Sequence, residues 1–203
     1  PRHDAQRKVV TPIVAPGNLA HLEPLIRSRV RTILDGLPRG ETFNWVERVS
    51  IELTTQMLAT LFDFPFEDRR LLPYWSDVIT SRPPPDRPDG WAKREEVLGE
   101  ILEYFTRLWN ERVNAEPRSD LISMLAHAPA TRHLSPSEFL GNVGLLIVGG
   151  NDTTRNSISG GLLFLNQNPD EYRKLRENRA LIPSAVSEII RYQTPLAHMR
   201  RTA

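Results

Sequence analysis

The sequence predicts a mainly α-helical protein organised around one long central helix. Apolar residues recur at helical spacing through most of the 203 residues. The phrases Ser135-Pro136-Ser137-Glu138 and Asn168-Pro169-Asp170-Glu171 each combine an N-cap residue, a proline for the first turn and an acid. No alternating pattern of convincing strand length is present. Together these observations favour an array of helices over a sheet.

Composition excludes several classes of function. The net charge of +1 gives no general attraction to nucleic acids or anionic membranes. The apolar run Leu145 to Val148 is far shorter than the roughly 18–20 residues of a membrane span. With no cysteine, these residues form no disulfide and no thiolate metal site. No secretory signal is recognisable, so we expect a cytoplasmic protein.

The individual helices follow from local start and stop signals. Pro1 suits a first turn, and Pro24 either starts the second helix or kinks it. Asn44 and Glu47 form a capping-box pattern, and the proline-rich stretch 82–90 is expected to be a loop. The predicted helices cover about 1–10, 19–34, 44–64, 67–79, 91–115, 120–126, 135–165, the stretch after 168, and 183–192.

The central helix contains residues that are unfavourable in a helix. Gly149 and Gly150 each cost about 1 kcal/mol relative to alanine, and the hydrogen-bonding side chains of Asp152 and Thr153 compete with the helix backbone. Glycines let a planar ligand approach a helix closely, and an acid beside a hydroxyl can relay protons. The alternative is a helix crossing packed through the glycines. The residues of this stretch leave both interpretations open.

Two further charged pairs share helical faces. Glu188 and Arg191 lie three residues apart and can form an ion pair. His3 and Arg7 lie four residues apart and can both donate to an anionic group such as a carboxylate. Each pair taken alone is also typical of a solvated helix face.

The order of these phrases resembles the cytochrome P450 haem-thiolate monooxygenases. Gly-Gly-x-Asp-Thr-Thr lies in a long helix and Glu-x-x-Arg in a later short one, as in that family. Pro-x-His-x-x-x-Arg at residues 1–7 resembles the family's haem-propionate helix. Pro195 followed by Arg201-Thr202-Ala203 resembles the stretch that supplies another propionate-binding arginine. Residues 145–157 look most like the bacterial alkane-hydroxylase branch, which oxidises terminal carbons of medium-chain alkanes.

The resemblance implies a role for each residue of the central phrase. Gly149 and Gly150 would line the groove where dioxygen sits over the haem iron. Asp152 and Thr153 would be the catalytic residues that deliver protons to the bound oxygen. The expected substrate contacts, one turn earlier on the same face, are Leu145 and Val148.

The same resemblance assigns the flanking residues. His3, Arg7 and Arg201 would hold the propionates of haem b. Glu188 and Arg191 would be buried structural residues that pair with a later segment of the chain.

One departure from the family pattern is the missing axial cysteine. In the family this thiolate ligates the haem iron and lies well after Glu-x-x-Arg, which places it beyond residue 203. We therefore expect residues 1–203 to be a single partial domain, an internal fragment of a cytochrome P450. It would contain the central helical part of the fold, lack the N-terminal strands and the cysteine loop, bind no metal through its own residues and be inactive alone.

The resemblance implies the activity of the bacterial parent protein. It would hydroxylate an unactivated C–H bond with O₂ and two electrons from a ferredoxin and its ferredoxin reductase. The expected substrates are medium-chain alkanes or fatty chains, oxidised at the terminal carbon. Two alternatives remain at this point: a steroid or fatty-acid hydroxylase of the same family, and a non-enzymatic helical ligand-binding protein.

Overall fold

The computed structural model describes residues 2–198, and these form a helical array. No strand is present among the described residues, so the predicted mainly α architecture is confirmed. Short 3₁₀ turns occur at Thr11–Val14 and Arg179–Leu181, and a π-helical segment, Val46–Ile51, leads directly into the third helix. The α-helices are α1 (Arg2–Val10), α2 (Pro16–Asp35), α3 (Glu52–Phe62), α4 (Leu71–Thr80), α5 (Pro88–Val113), α6 (Leu121–His127), α7 (Pro136–Gln167), α8 (Pro169–Glu177) and α9 (Ile182–Gln193).

An aromatic cluster fixes α3 and α4 against α5. Phe105 of α5 is fully buried, and its ring centroid lies 5.3 Å from that of Phe62 and 5.9 Å from that of Trp75. Phe64 stacks on Tyr104 with the ring centroids 4.8 Å apart. Such aromatic contacts add about 0.5–1.5 kcal/mol each beyond the area they bury. They hold α4 in place beside the central helix.

The central helix α7 begins at a complete capping box. The Ser135 hydroxyl accepts a hydrogen bond from the Glu138 amide, and the Glu138 carboxylate accepts one from the Ser135 amide. The backbone N–H of Ser135 has the largest effect on the pKa of Glu138. Together with the Ser135 hydroxyl, it holds that pKa below its usual value. Arg2 of α1 pairs with the same carboxylate, which ties the first helix to the start of α7.

One side of α7 is buried in the core at every fourth residue. Phe139, Val143, Ile147 and Asn151 are all buried, and this spacing keeps them on one helical face. The first three are apolar and belong to the main core. The fourth is an amide, which has to find hydrogen-bond partners there.

Glycines let α9 pack closely against α7. A Cβ atom at Gly161 would lie 3.0 Å from Ile189 Cδ1 and 3.2 Å from Ile189 Cγ2. Further along the same contact, the Phe164 and Tyr192 rings meet edge to face with their centroids 4.6 Å apart. The small residues therefore set the distance between the two helices.

Several predicted boundaries were wrong, and proline explains two of them. Pro24 lies inside α2 without ending it, because the Ala20 carbonyl that loses its donor is exposed to water. Pro88 occupies the first turn of α5, so this helix begins inside the stretch expected to be a loop. The fourth helix begins at Leu71 rather than near residue 67, because residues 65–70 form turns with hydrogen bonds such as Asp68 N–H to Pro65 O.

The α7–α9 contact predicts opposite effects for two glycine substitutions. Gly161→Leu forces a side chain into Ile189 and should lower the free energy of unfolding by about 1–3 kcal/mol, the usual result of overpacking. Gly141→Ala, in the same helix with no atom within 4 Å of its Cβ position, should raise it by roughly 0.5–1 kcal/mol. Urea denaturation measures both values. Equal effects of the two substitutions would contradict the close packing of α9.

Candidate functional site

The side of α7 opposite the buried stripe is open. Leu145 is 61% exposed, and no atom lies within 4 Å of the Cβ position of Gly149. Val148 and Thr153 are half-buried beside them. Residues 145, 149 and 153 are separated by four residues each, so the helix aligns them on one face. The structure thus places Leu145, Gly149 and Thr153 on one accessible surface, and their predicted roles stay predictions.

The two adjacent glycines have different surroundings. A Cβ atom at Gly150 would lie 2.8 Å from Leu58 Cδ1 of α3, whereas one at Gly149 would meet nothing. Gly150 therefore permits a close helix contact, and Gly149 leaves space on the open face. The close helix crossing considered for the glycine pair therefore applies to Gly150, and the open surface that a ligand would need is found at Gly149. The predicted place of Gly150 beside the oxygen groove stays a prediction.

Thr153 connects the open face to a cleft between α7 and α9. Its hydroxyl donates to the carbonyl oxygen of Gly149 over 3.2 Å, which keeps the side chain against the helix. The cleft has a volume of about 360 Å³ and a mainly apolar wall. Its lining residues are Thr153, Thr154, Ser157, Ile158, Val186, Ile189, Ile190 and Pro195.

Asp152 is the centre of a polar network between α7 and α4. Its Oδ1 atom lies 3.1 Å from Ser76 Oγ, 3.2 Å from Asn151 Nδ2 and 3.0 Å from Arg155 Nη2. Arg155 also pairs with Asp77 of α4 at 3.3 Å. The carboxyl side chain is 20% exposed. The acid predicted to handle protons is therefore held in place and still reachable by water.

The residues that contact the Asp152 carboxyl group were not predicted from the sequence. Asn151 directly precedes Asp152 in the sequence, and Arg155 follows three residues later. The amide of Asn151 inside an apolar helical stretch was a usable signal. Ser76 lies in another helix, and its hydroxyl carries no sequence pattern that points to α7. Only the packing of α4 on α7 reveals it.

The predicted propionate ligands are exposed where the structure describes them. His3 Nδ1 lies 3.4 Å from Asp4 Oδ1. The exposed Arg7 side chain makes no ion pair with any described residue. Arg201 lies outside the described residues. Both described side chains can therefore reach an anionic group, and their role as haem ligands stays a prediction.

The described residues do not bury Glu188 and Arg191, and their burial by a later segment stays a prediction. Their side chains are 60% and 67% exposed and pair with each other at 2.7 Å. The hydrogen bonds that Arg191 donates to Glu188 lower the pKa of Glu188 and raise the pKa of Arg191. No described element covers this face of α9, so nothing removes the pair from water.

The open face of α7 can accept a flat, largely apolar group such as haem. Gly149 presents no side chain there, and the exposed Leu145 offers apolar contact beside it. An iron ligand is a separate requirement. Among residues 2–198, no cluster of three or more His, Asp or Glu side chains could hold a metal ion. The described part of α7 thus offers an open apolar surface, and an axial cysteine beyond residue 203 stays a prediction.

Comparisons with known proteins agree with this geometry. The family model described as "Cytochrome P450" matches residues 40–199. Linalool 8-monooxygenase of Pseudomonas putida is 34% identical over all of this chain, which covers 50% of that protein. Steroid C26-monooxygenase of Mycolicibacterium smegmatis is 33% identical, and here the chain covers 47% of the relative. The chain belongs to the cytochrome P450 family, as its sequence phrases predicted.

Solved structures support the same fold. Cytochrome P450-153 from Novosphingobium aromaticivorans superposes with a TM-score of 0.90 at 50% identity, over 100% of this chain and 49% of that one. CYP153D17 from Sphingomonas sp. PAMC 26605 superposes with a TM-score of 0.91 at 46% identity, over 100% and 51%. The chain spans about half the length of the relatives it matches. None of the described helices is long and apolar enough to cross a membrane.

A matched pair of substitutions tests the structural role predicted for Glu188. In the 203-residue chain, Glu188→Ala and Glu171→Ala each break an exposed i,i+3 ion pair with an N–O distance of 2.7 Å. Neither should change the melting temperature measurably, because exposed pairs contribute little. In the complete protein, Glu188→Ala should lower both melting temperature and haem content, and Glu171→Ala should not. Identical behaviour of the two variants there would contradict a buried role for Glu188.

Proposed function

We propose that residues 1–203 form a single partial domain of a haem-dependent monooxygenase. The enzyme inserts one atom of O₂ into a C–H bond and reduces the other to water with two electrons and two protons. The observation that carries this proposal is the open face of α7, where Gly149 leaves space directly beside an acid and a hydroxyl. Family membership of the chain supports the chemistry.

The residues of α7 have distinct tasks in this proposal. Gly149 leaves room for dioxygen, and Gly150 lies next to it at the edge of this groove, packed against Leu58. Asp152 takes a proton from water and passes it on, since its carboxyl group is partly exposed. The Thr153 hydroxyl already donates to Gly149 O, so its oxygen lone pairs can accept a hydrogen bond from a water that carries the proton.

The cofactor of the proposed enzyme is haem b. When bound, it would supply the redox-active iron at which O₂ is reduced, and a cysteine outside this chain would hold that iron. His3, Arg7 and Arg201 bind its propionates through charge-assisted hydrogen bonds. A ferredoxin and its ferredoxin reductase supply the electrons, which is an inference from the family resemblance.

The proposed substrate is a medium-chain alkane or another fatty chain, oxidised at its terminal carbon. Leu145 and Val148 provide apolar contact on the open face, and the cleft beside Thr153 is lined mainly by apolar side chains. Such a surface holds a hydrocarbon without requiring a polar group on it. A steroid or fatty-acid substrate is the second candidate, because one relative is named a steroid C26-monooxygenase.

The test compares the complete protein with the 203-residue chain. We expect the complete protein, reconstituted with ferredoxin and reductase, to convert octane to 1-octanol faster than it hydroxylates a sterol. Its carbon monoxide complex should show the shifted Soret band of thiolate ligation, and the chain alone should not. A sterol preferred over octane would favour the second candidate. A thiolate-type band from the chain alone would contradict the external ligand.

Thr153 provides the sharpest test of proton delivery. Thr153→Val keeps the shape of the side chain but removes the hydroxyl, and Thr153→Ser keeps the hydroxyl. In the complete enzyme we expect Thr153→Val to consume NADH with little hydroxylated product, because proton delivery is lost. Thr153→Ser should retain most of the coupling. The measurement is the ratio of product formed to NADH consumed, and tight coupling in Thr153→Val would remove Thr153 from this role.

A further inference from the structure

Asn151 is a fully buried amide inside the apolar side of α7. Its exposure is 0%, and the preceding members of the buried stripe are hydrocarbon side chains. Burying an amide without partners is unfavourable by several kcal/mol on the scale of transfer to an apolar medium. The amide here has two partners in opposite directions: Thr54 Oγ1 at 3.0 Å from its Oδ1, and Asp152 Oδ1 at 3.2 Å from its Nδ2.

The carboxylate of Asp152 decides which way this amide points. If the amide were flipped, its oxygen would face Asp152 Oδ1, and two acceptors would stand opposite each other. Thr54, at the other end of the amide, is compatible with either orientation of the amide. Its hydroxyl can donate to the amide oxygen or, at 2.9 Å, to the carbonyl oxygen of Ser50. The amide NH₂ group is therefore directed at the Asp152 carboxyl oxygen.

All hydrogen bonds to Asp152 from described residues end on the same oxygen. Ser76 reaches Oδ1 from α4, Asn151 reaches it from the buried side, and Arg155 reaches it from the next turn of α7. No described residue donates to Oδ2. Two hydrogen bonds and the Arg155 ion pair on one oxygen hold the carboxyl group and leave Oδ2 without a hydrogen bond from a described residue.

We propose that Asn151 is a positioning residue for proton transfer, which holds Asp152 so that Oδ2 is the oxygen that takes up and releases the proton. Asn151 does not touch the reacting atoms. It acts from the buried side of α7, where Thr54 of α3 anchors its other end. This proposal rests on the proposed role of Asp152 in oxygen reduction.

The test uses the complete haem-loaded enzyme with Asn151→Leu, a change close in volume that removes both hydrogen bonds. Ser159→Ala is the matched control. It breaks another hydrogen bond of the same helix contact, Ser159 Oγ to Ser50 Oγ at 2.8 Å, without touching Asp152. If Asn151→Leu does not fold, the smaller Asn151→Ala takes its place.

Two readouts separate positioning from a merely structural role. The first is the ¹³C resonance of the Asp152 carboxyl carbon in protein labelled with [4-¹³C]aspartate, measured on the ferrous carbon monoxide form and assigned by its absence in Asp152→Asn. We expect it to move in Asn151→Leu and stay in place in Ser159→Ala. The second is coupling, which should fall about two- to tenfold in Asn151→Leu only, the effect of one hydrogen bond.

The outcomes distinguish this proposal from the proposed function. An unmoved Asp152 resonance in the Asn151 variant would overturn the positioning role whatever the activity. A moved resonance with unchanged coupling would overturn the link to proton delivery. Full coupling in Asp152→Asn would instead show that the proposed role of Asp152 is wrong, and the resonance would still report whether Asn151 contacts it.

Discussion

The structure depends on a single helix that is buried on one side and open on the other. On its buried side α7 presents Phe139, Val143 and Ile147 to the core, and then Asn151 at the same spacing. The buried side of α7 changes from hydrocarbon side chains to an amide at Asn151, between Gly149 and Asp152 in the sequence. At this level the hydrophobic contacts that hold α7 give way to directional hydrogen bonds to α3 and α4. The apolar stripe that α7 presents to the main core thus ends where the proposed chemistry begins.

Three glycines of α7 show how one residue type serves two purposes. Gly149 leaves an open surface, Gly150 admits the side chain of Leu58, and Gly161 admits Ile189 of α9. The first makes room for ligands, and the other two set the distances to neighbouring helices. A cleft beside Thr153 results, because α9 lies close to α7 near Gly161 and ends before it covers Thr153. Packing and site formation are therefore linked along one helix.

The Glu188–Arg191 pair shows that the surroundings of two charged residues decide their structural role. In the described chain it is an exposed pair on α9, whereas the family pattern implies a buried one. An exposed ion pair of this geometry contributes little, whereas the loss of one partner of a buried pair is costly because it leaves an uncompensated charge. The difference lies in what covers the pair, which the two residues themselves do not encode.

The sequence by itself determined the helical architecture, the start of α7 at its capping box, the family, and the placement of Leu145, Gly149 and Thr153 on one face. These features are local or periodic, and a helix of known pitch converts spacing into a shared surface. Only the tertiary structure decided that Gly150 packs on α3, that Ser76 reaches Asp152, and that Thr54 holds Asn151. Those contacts join residues 76 to 97 positions apart in the chain. No local pattern specifies them, because they arise from the crossing of helices whose apolar sides share one core.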